Sequence, residues 1–317
     1  MTKPNQIFSP QEVAQRTVAV IQDRVATVGA GVRTGLDELD AKLNPQRPGE
    51  LRLVVGYTSN YKSGLMSYIA RHNARKWAAD GSGRVVITVT WEQSVEEQGA
   101  VDIGQLTGLS VSSMMRGELA QAELTRLVQG AIARGALPWW VFGHSVQDKE
   151  RRPRLSLTDV ANLLAYLVDE QTQAPGLIVL DYLQRIRPEG GDTLREKYMQ
   201  IVDRCKDMSL SFGVPVTLGT QAGRQVKDRK FKMPMLEDIQ ETSNGEQSAD
   251  SVLSVWMPKQ DMGMGDLFEY GGTTYAVTKG LLMVGVLKQK FGEAPVYMGF
   301  NVDHGRGTIE PLKRVQL

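Results

Sequence analysis

From residue 50 onward, short apolar runs alternate with longer amphipathic stretches. The runs ELRLVVG (50–56), RVVITVTW (84–91), LPWWVFG (137–143), GLIVLDY (176–182) and VPVTLGTQ (214–221) have the length and composition of buried strands. Between them, residues 62–79, 94–106, 118–134, 156–172 and 193–212 read as helices; in the first, Leu65, Ile69, Ala70 and Trp77 share one side. Such alternation predicts an α/β fold with a mostly parallel sheet covered by helices on both faces. The pattern then changes. SVLSVWM (251–257), LLMVGVLKQK (281–290) and PVYMGFNV (295–302) follow one another without long helices and predict partly antiparallel strands that extend the sheet. YGGTTY (270–275) predicts a hairpin turn, and DMGMGD, with Met262 and Met264, a loop.

A separate helix precedes this domain. Ser9, Pro10 and Glu12 have the spacing of an N-cap, a first helical residue and a capping-box acid. Val13, Val18, Ile21 and Val25 then form an apolar stripe over residues 10–25, broken by ATVGAGVRTG. The boundary this predicts is a helix within residues 1–30 and a main domain over 31–317. Such a helix would dock on its own core or on a neighbouring subunit.

Composition narrows the class. With 37 Lys and Arg against 36 Asp and Glu the chain has a net charge of +1, which argues against a globally basic coat for nucleic acid but leaves room for a local basic loop. The single cysteine, Cys205, lies in a helical stretch and is expected to be buried; one cysteine forms no internal disulfide, which fits a reducing cytoplasm. The N-terminus lacks the apolar run of a signal peptide, and no stretch reaches the roughly 18 apolar residues of a membrane span. His72, His144 and His304 are scattered and suggest no zinc site. Trp139 and Trp140 are expected to fill core.

The candidate chemistry lies where strands end. GYTSNYKSG (56–64) nearly matches the phosphate-binding pattern G-x-x-x-x-G-K-[ST], with Tyr61 in place of the second glycine. A strand precedes it and a helix follows, so backbone amides of Gly56, Thr58, Ser59, Asn60, Tyr61 and Gly64 can cradle phosphates. Lys62 would reach the β- and γ-phosphates, and the Ser63 hydroxyl would sit on Mg²⁺. Asp181 ends LIVLD, where an acid orients Mg²⁺. Glu92 ends VVITVTWE, where a carboxylate can polarise an attacking water. Open α/β sheets bind ligands at those strand ends, so ATP with Mg²⁺ is the expected cofactor pair.

With these motifs in order, the chain resembles the C-terminal RecA-like ATPase domain of DnaB-type replicative helicases over about residues 11–312. GVRTGLDELDAKL (31–43), VTWEQSVEE (89–97), VLDYLQRIRP (179–188), GVPVTLGTQAGRQV (213–226), MPMLEDIQETSNGEQSADSVLSVW (233–256) and VLKQKFGEAPV (286–296) carry the resemblance. It implies a P-loop core, Glu92 as catalytic base, Asp181 as the Mg²⁺ acid and Gln221 as the sensor of the γ-phosphate. It also implies that Lys288 and Lys290 act in trans on a neighbouring protomer's ATP, and that the chain forms a hexameric ring around single-stranded DNA. The helix at 10–25 would be the linker that packs on the next protomer.

Three features depart from the family. Tyr61 replaces a glycine; it is expected to be accommodated by ordinary dihedrals and a ring turned outward, and it could slow hydrolysis. Lys290 stands where the family has an arginine, keeping the charge but losing the planar fork. The family's N-terminal domain is expected to be absent, and contact with a primase or loader is then expected to need a separate protein. GRQVKDRKFK (223–232) supplies Arg224, Lys227, Arg229, Lys230 and Lys232 as DNA contacts, with Phe231 able to stack on a base; Arg185 and Arg187 in QRIRPEGG form a second candidate. A solvated loop is the plain alternative for either run. Two other functions stay open at this point: a nucleotide-gated DNA clamp with little turnover, and a RecA-like recombination or regulatory ATPase.

Overall fold

The structure, a computed structural model, describes residues 7–26, 30–148, 154–239 and 245–312. The chain divides into two compact units, Met1–Gly31 and Val32–Leu317. The first holds helix α1 (Pro10–Ala26), which starts with the predicted capping box: Glu12 N–H donates to Ser9 Oγ at 3.2 Å and Ser9 N–H to Glu12 Oε2 at 2.6 Å. None of its residues is buried, and Val13, Val18, Ile21 and Val25 are each more than half exposed.

In the second unit the strands are β1 (Leu51–Gly56), β2 (Arg84–Thr90), β3 (Trp139–Phe142), β4 (Ala174–Asp181), β5 (Val216–Gln221), β6 (Ser251–Trp256), β7 (Leu267–Tyr270), β8 (Thr273–Ala276), β9 (Leu281–Gln289), β10 (Val296–Asp303) and β11 (Thr308–Pro311). Nine form one sheet in the order β11-β10-β9-β6-β1-β5-β4-β2-β3. The six from β6 to β3 are parallel, and β9, β10 and β11 add antiparallel strands on one side. β7 and β8 pair separately across Gly271 and Gly272, both at positive φ as a two-residue hairpin turn requires.

The helices are α2 (Asp37–Asp40), α3 (Lys62–Asp80), α4 (Val95–Thr107), α5 (Val111–Arg116), α6 (Gln121–Gly135), α7 (Leu157–Asp169), α8 (Leu194–Phe212) and the single turn α9 (Gly245–Ser248). They give the sheet two cores. On one face Leu164 of α7 and Ile201 and Cys205 of α8 pack on Leu51, Leu53 and Val55. On the other, Leu65, Ile69 and Trp77 of α3 pack on Val54, Val86 and Val255. β1, between β5 and β6, is buried along its whole length. Cys205 is fully buried, and burial pushes its thiol pKa up. Trp139 fills core as expected, but Trp140, one residue on along a sheet-edge strand, points to the other face and is 38% exposed.

A buried charge cluster joins the helices beside the phosphate loop. Asp102 of α4 is fully buried and takes Arg71 of α3 at 3.2 Å, Arg134 of α6 at 2.8 Å and the Gln98 amide at 3.1 Å. The Trp139 ring lies against both guanidinium groups, 5.7 Å from that of Arg71 and 4.7 Å from that of Arg134. Desolvation lowers the Arg71 pKa, and Asp102 opposes it. Removing one partner of such a cluster leaves uncompensated buried charge. Asp102→Ala is therefore expected to lower stability by about 3–5 kcal/mol, measured as a lower urea midpoint with an unchanged slope.

Candidate active site

Strand register brings the predicted residues into one row. Gly56 at the end of β1 pairs with Gln221 at the end of β5, and Asp181 at the end of β4 pairs with Thr90 at the end of β2. The chain after each of these strands opens onto one cavity of about 820 Å³, lined by residues 57–64 together with Glu92, Tyr182, Arg185 and Gln221.

The phosphate loop is clamped at both ends. Gly56 has no room for a side chain: a Cβ would sit 2.7 Å from Val255 of β6. The Asn60 side chain is buried; its Oδ1 accepts from Met257 N–H at 2.7 Å and its Nδ2 donates to the Thr58 carbonyl at 3.2 Å. Asn60 thus shapes the loop with its side chain, and its N–H closes a turn by donating to the Tyr57 carbonyl at 3.3 Å. Ser59 and Tyr61 both adopt φ 63°, the left-handed region.

Tyr61 corrects both expectations about it. Its dihedrals are those of a glycine (φ 63°, ψ 22°), and its ring turns inward rather than outward. It lies half-buried over Gly64, where a Cβ would be 2.5 Å from ring carbons, and meets the His304 ring edge-on with centroids 5.4 Å apart. Burial pushes the phenol pKa up to about 12. The left-handed backbone costs about 1–2 kcal/mol. An edge-to-face contact contributes about 0.5–1.5 kcal/mol, and half-burial of an aromatic side chain about half of the ~3 kcal/mol of full burial. The ring's packing is thus large enough to hold the backbone in place.

Lys62 opens α3 with its side chain buried, its ammonium 4.6 Å from the centroid of the Tyr182 ring. Desolvation lowers its pKa, while the charges of Asp181 and Glu92 raise it. Asp181 shows the opposite balance: burial raises its pKa, and Lys62 and a hydrogen bond with the Ser63 side chain lower it. Asp181 Oδ1 is buried without a hydrogen-bond partner. A hydroxyl and a carboxylate with one unsatisfied oxygen are a donor set that fits Mg²⁺, which takes few protein ligands and completes its shell with phosphate oxygens and water. Among the described residues there is no cluster of three His, Cys, Asp or Glu side chains that could hold a metal without such help.

Glu92 stands two residues past β2 in a braced turn. Thr90 Oγ1 donates to the Gln93 carbonyl at 2.8 Å, Trp91 Nε1–H donates to the Leu155 carbonyl at 2.8 Å, and Ser94 and Glu97 form the capping box of α4. Gln221 donates through Nε2 to the Tyr182 hydroxyl at 3.3 Å, and its N–H donates to Gln184 Oε1 at 3.2 Å. Tyr182 therefore touches both Lys62 and Gln221. Sequence reasoning passed over it, although its place directly after Asp181 at a strand end is a usable signal.

The remaining candidates divide. Arg185, paired in sequence with Arg187 as a DNA contact, lines the cavity, with Nη2 at 3.7 Å from Glu92 Oε1. Arg187 is outside it and pairs with Asp159 at 2.7 Å. Lys288 and Lys290 lie toward the opposite end of the strands from the phosphate loop: Lys288 pairs with Val252 near the start of β6, whereas Gly56 pairs with Val255 near its end. Lys290 is held by Asp250, which also accepts from Lys206 at 2.7 Å and Leu51 N–H at 2.8 Å.

Within the basic segment, Arg229 is committed to the fold by a two-pronged pair with Asp238 at 2.5 and 2.6 Å. Phe231 packs against Trp256, Phe268 and Tyr270 rather than standing free to stack on a base. Arg224 is exposed, Lys230 lies over the Phe231 ring, Lys227 over the Tyr57 ring, and Lys232 donates to the Lys227 carbonyl. Lys227, Lys232 and residues 57–60 share a second cavity of about 660 Å³, so the basic segment abuts the phosphate loop. Lys259 and His304, joined at 2.8 Å, also line the main cavity. His304 arrives from the β10–β11 turn, remote in sequence, and no sequence signal pointed to it.

A sheet of this order with a lysine-bearing loop at the end of its central strand defines a phosphate-loop nucleotide-binding protein of the RecA-like kind. The chain belongs to the family of the DnaB-like helicase C terminal domain, whose model matches residues 31–291. A probable replicative DNA helicase of Trieres chinensis is 25% identical over 232 residues, covering 72% of this chain and 47% of that one. A probable plasmid replicative DNA helicase of Chlamydia trachomatis serovar L2 is 27% identical over 153 residues, 48% of this chain and 32% of that one. This chain thus spans less than half of these relatives. The solved structure of a DnaB-like replicative helicase and its interactions with primase has the same fold, with a TM-score of 0.76 at 18% identity over 94% of this chain and 67% of that one.

The contact between Tyr61 and Gly64 is directly testable. Gly64→Ala is expected to cost about 1–3 kcal/mol through overpacking, read as a lower midpoint of thermal unfolding. Tyr61→Gly in the same background is expected to abolish that penalty, since the ring that meets the new methyl is gone.

Proposed function

We propose that the chain is the motor of a replicative-type helicase: an ATP hydrolase that assembles into a ring, expected to be a hexamer, and moves along single-stranded DNA. The observation that carries this reading is the convergence of Lys62, Ser63, Glu92 and Gln221 on one strand-end cavity, with the buried Asp181 hydrogen-bonded to Ser63 beside it, in a chain of the DnaB-like family. Lys62 would neutralise the β- and γ-phosphates, and backbone amides of residues 58–64 would hold them at the N-terminus of α3. Ser63 and Asp181 would hold Mg²⁺, which supplies charge neutralisation to the phosphates when bound. Glu92 would take a proton from the attacking water. Gln221, tied to Tyr182, would register the terminal phosphate and pass its presence along β5 to the basic segment that follows.

Lys288 and Lys290 cannot serve the cavity of their own protomer from the far end of the strands, a placement that suits action on a neighbouring copy. Arg224, Lys227, Lys230 and Lys232 are the cations of the basic segment best suited to phosphodiester contact, and their binding would weaken steeply with salt. Arg187 would add to it from its surface pair.

Steady-state ATP hydrolysis with and without single-stranded DNA tests the reading. The wild-type chain is expected to turn over ATP faster with DNA. Glu92→Gln is expected to lower turnover by about 100-fold or more while leaving nucleotide bound, and Lys62→Ala to weaken both binding and turnover. ATP binding without turnover in the wild type would favour the nucleotide-gated clamp instead.

A further inference from the structure

Arg185 has a place in the cavity that a DNA contact does not require. It ends a single 3₁₀ turn, Leu183–Arg185, that follows β4 directly. Leu183 and Ile186 are buried on either side, and Arg185 N–H donates to the Tyr182 carbonyl at 3.0 Å. With its neighbours anchored in the core, the Arg185 side chain stands on the cavity wall beside Lys62, Glu92 and Gln221. It is the arginine among the described residues of that wall. A hydrogen bond to the Tyr182 side chain, and then the charge of Glu92, raise its pKa.

We propose that Arg185 is a catalytic residue acting in cis, whose guanidinium pairs with Glu92 before nucleotide binds and moves onto the terminal phosphate when ATP fills the cavity. This rests on the ATP-hydrolase reading above. An attacking water activated by Glu92 would lie between that carboxylate and the γ-phosphorus, and a guanidinium 3.7 Å from Glu92 on the same cavity wall would be within reach of the phosphate oxygens. Both partners of the pair are about half exposed, with side-chain exposures of 46% and 55%, so the contact is weak and exchangeable. A terminal phosphate offers two oxygens to a planar fork and outcompetes a single carboxylate oxygen at 3.7 Å.

The exchange does two things at once. It frees Glu92 to accept a proton, and it places positive charge where the transferring group develops negative charge. In the step itself the water oxygen bonds to the γ-phosphorus, the bond from that phosphorus to the bridging oxygen of ADP breaks, and the water proton passes to Glu92. ADP and inorganic phosphate leave, and Glu92 returns the proton to solvent.

The experiment uses the full chain with Arg185→Ala and Arg185→Lys. Read-outs are kcat and KM for ATP without DNA, retention of ADP by aluminium fluoride, and single-stranded DNA affinity by fluorescence anisotropy. For Arg185→Ala, kcat is expected to fall about 100-fold or more with KM within about threefold, aluminium fluoride to lose its ability to trap ADP, and DNA affinity to stay within about twofold. Arg185→Lys, which keeps charge without the fork, is expected to recover part of kcat. Wild-type turnover with an Arg185→Ala variant that hydrolyses and traps ADP normally overturns this inference alone, as does an effect confined to DNA affinity. Absence of turnover in the wild type overturns the hydrolase reading together with it.

Discussion

Every part of the site depends on β1 being covered on all sides. Its six residues are buried, with β5 and β6 hydrogen-bonded to its edges and a core on each face. A strand so enclosed cannot slip by one residue without sending its Leu51, Leu53 and Val55 face into the opposite core. Its end is therefore fixed relative to the ends of its neighbours. Gly56, packed against Val255, is where the chain leaves the sheet, and α3 must start within the span of the loop. The geometry of phosphate binding is set here by sheet register, before any ligand is considered.

Electrostatics then act on a site whose positions are already settled. Lys62 is desolvated at the mouth of α3, Asp181 has a buried oxygen with no partner, and each moderates the other's loss of water. Tyr182 lies between them and β5, offering its ring to the lysine and its hydroxyl to Gln221. An Mg²⁺–nucleotide complex would complement this arrangement, with anionic charge for Lys62 and a cation for Asp181. The pocket suits such a complex because its own charges are incompletely satisfied.

Much of this was legible in the chain because the signals are local. Apolar runs ending in Gly56, Asp181 and Gln221 mark strand ends, and strand ends in parallel sheets are where ligands bind. The stretch 107–117 was less legible: α4 matches the helix expected over 94–106, but no element was expected where the short α5 forms, between Gly108 and Gly117 in the left-handed region. Arg185 was read with Arg187 because charge near a loop is visible in sequence and side-chain direction is not. Burial of Leu183 and Ile186 sends Arg185 into the cavity, while Arg187 turns to Asp159. Phe231 likewise belongs to an aromatic cluster assembled from β6, β7 and the following hairpin, partners that no local pattern connects. His304 reaches Tyr61 across more than two hundred residues, a contact only the sheet order explains.

The pairing of Tyr61 with Gly64 changes what the loop's signature means. A pattern that demands glycine before Lys-Ser treats backbone freedom as a property of one position. Here the left-handed turn is kept by a tyrosine, and the missing side chain has moved three residues along, to the spot the ring covers. What the loop requires here is a volume shared by residues 61 and 64, filled by the ring and left free by the glycine. Written as a rule on that shared space, the signature admits this loop; written as a rule on letters, it passes it by.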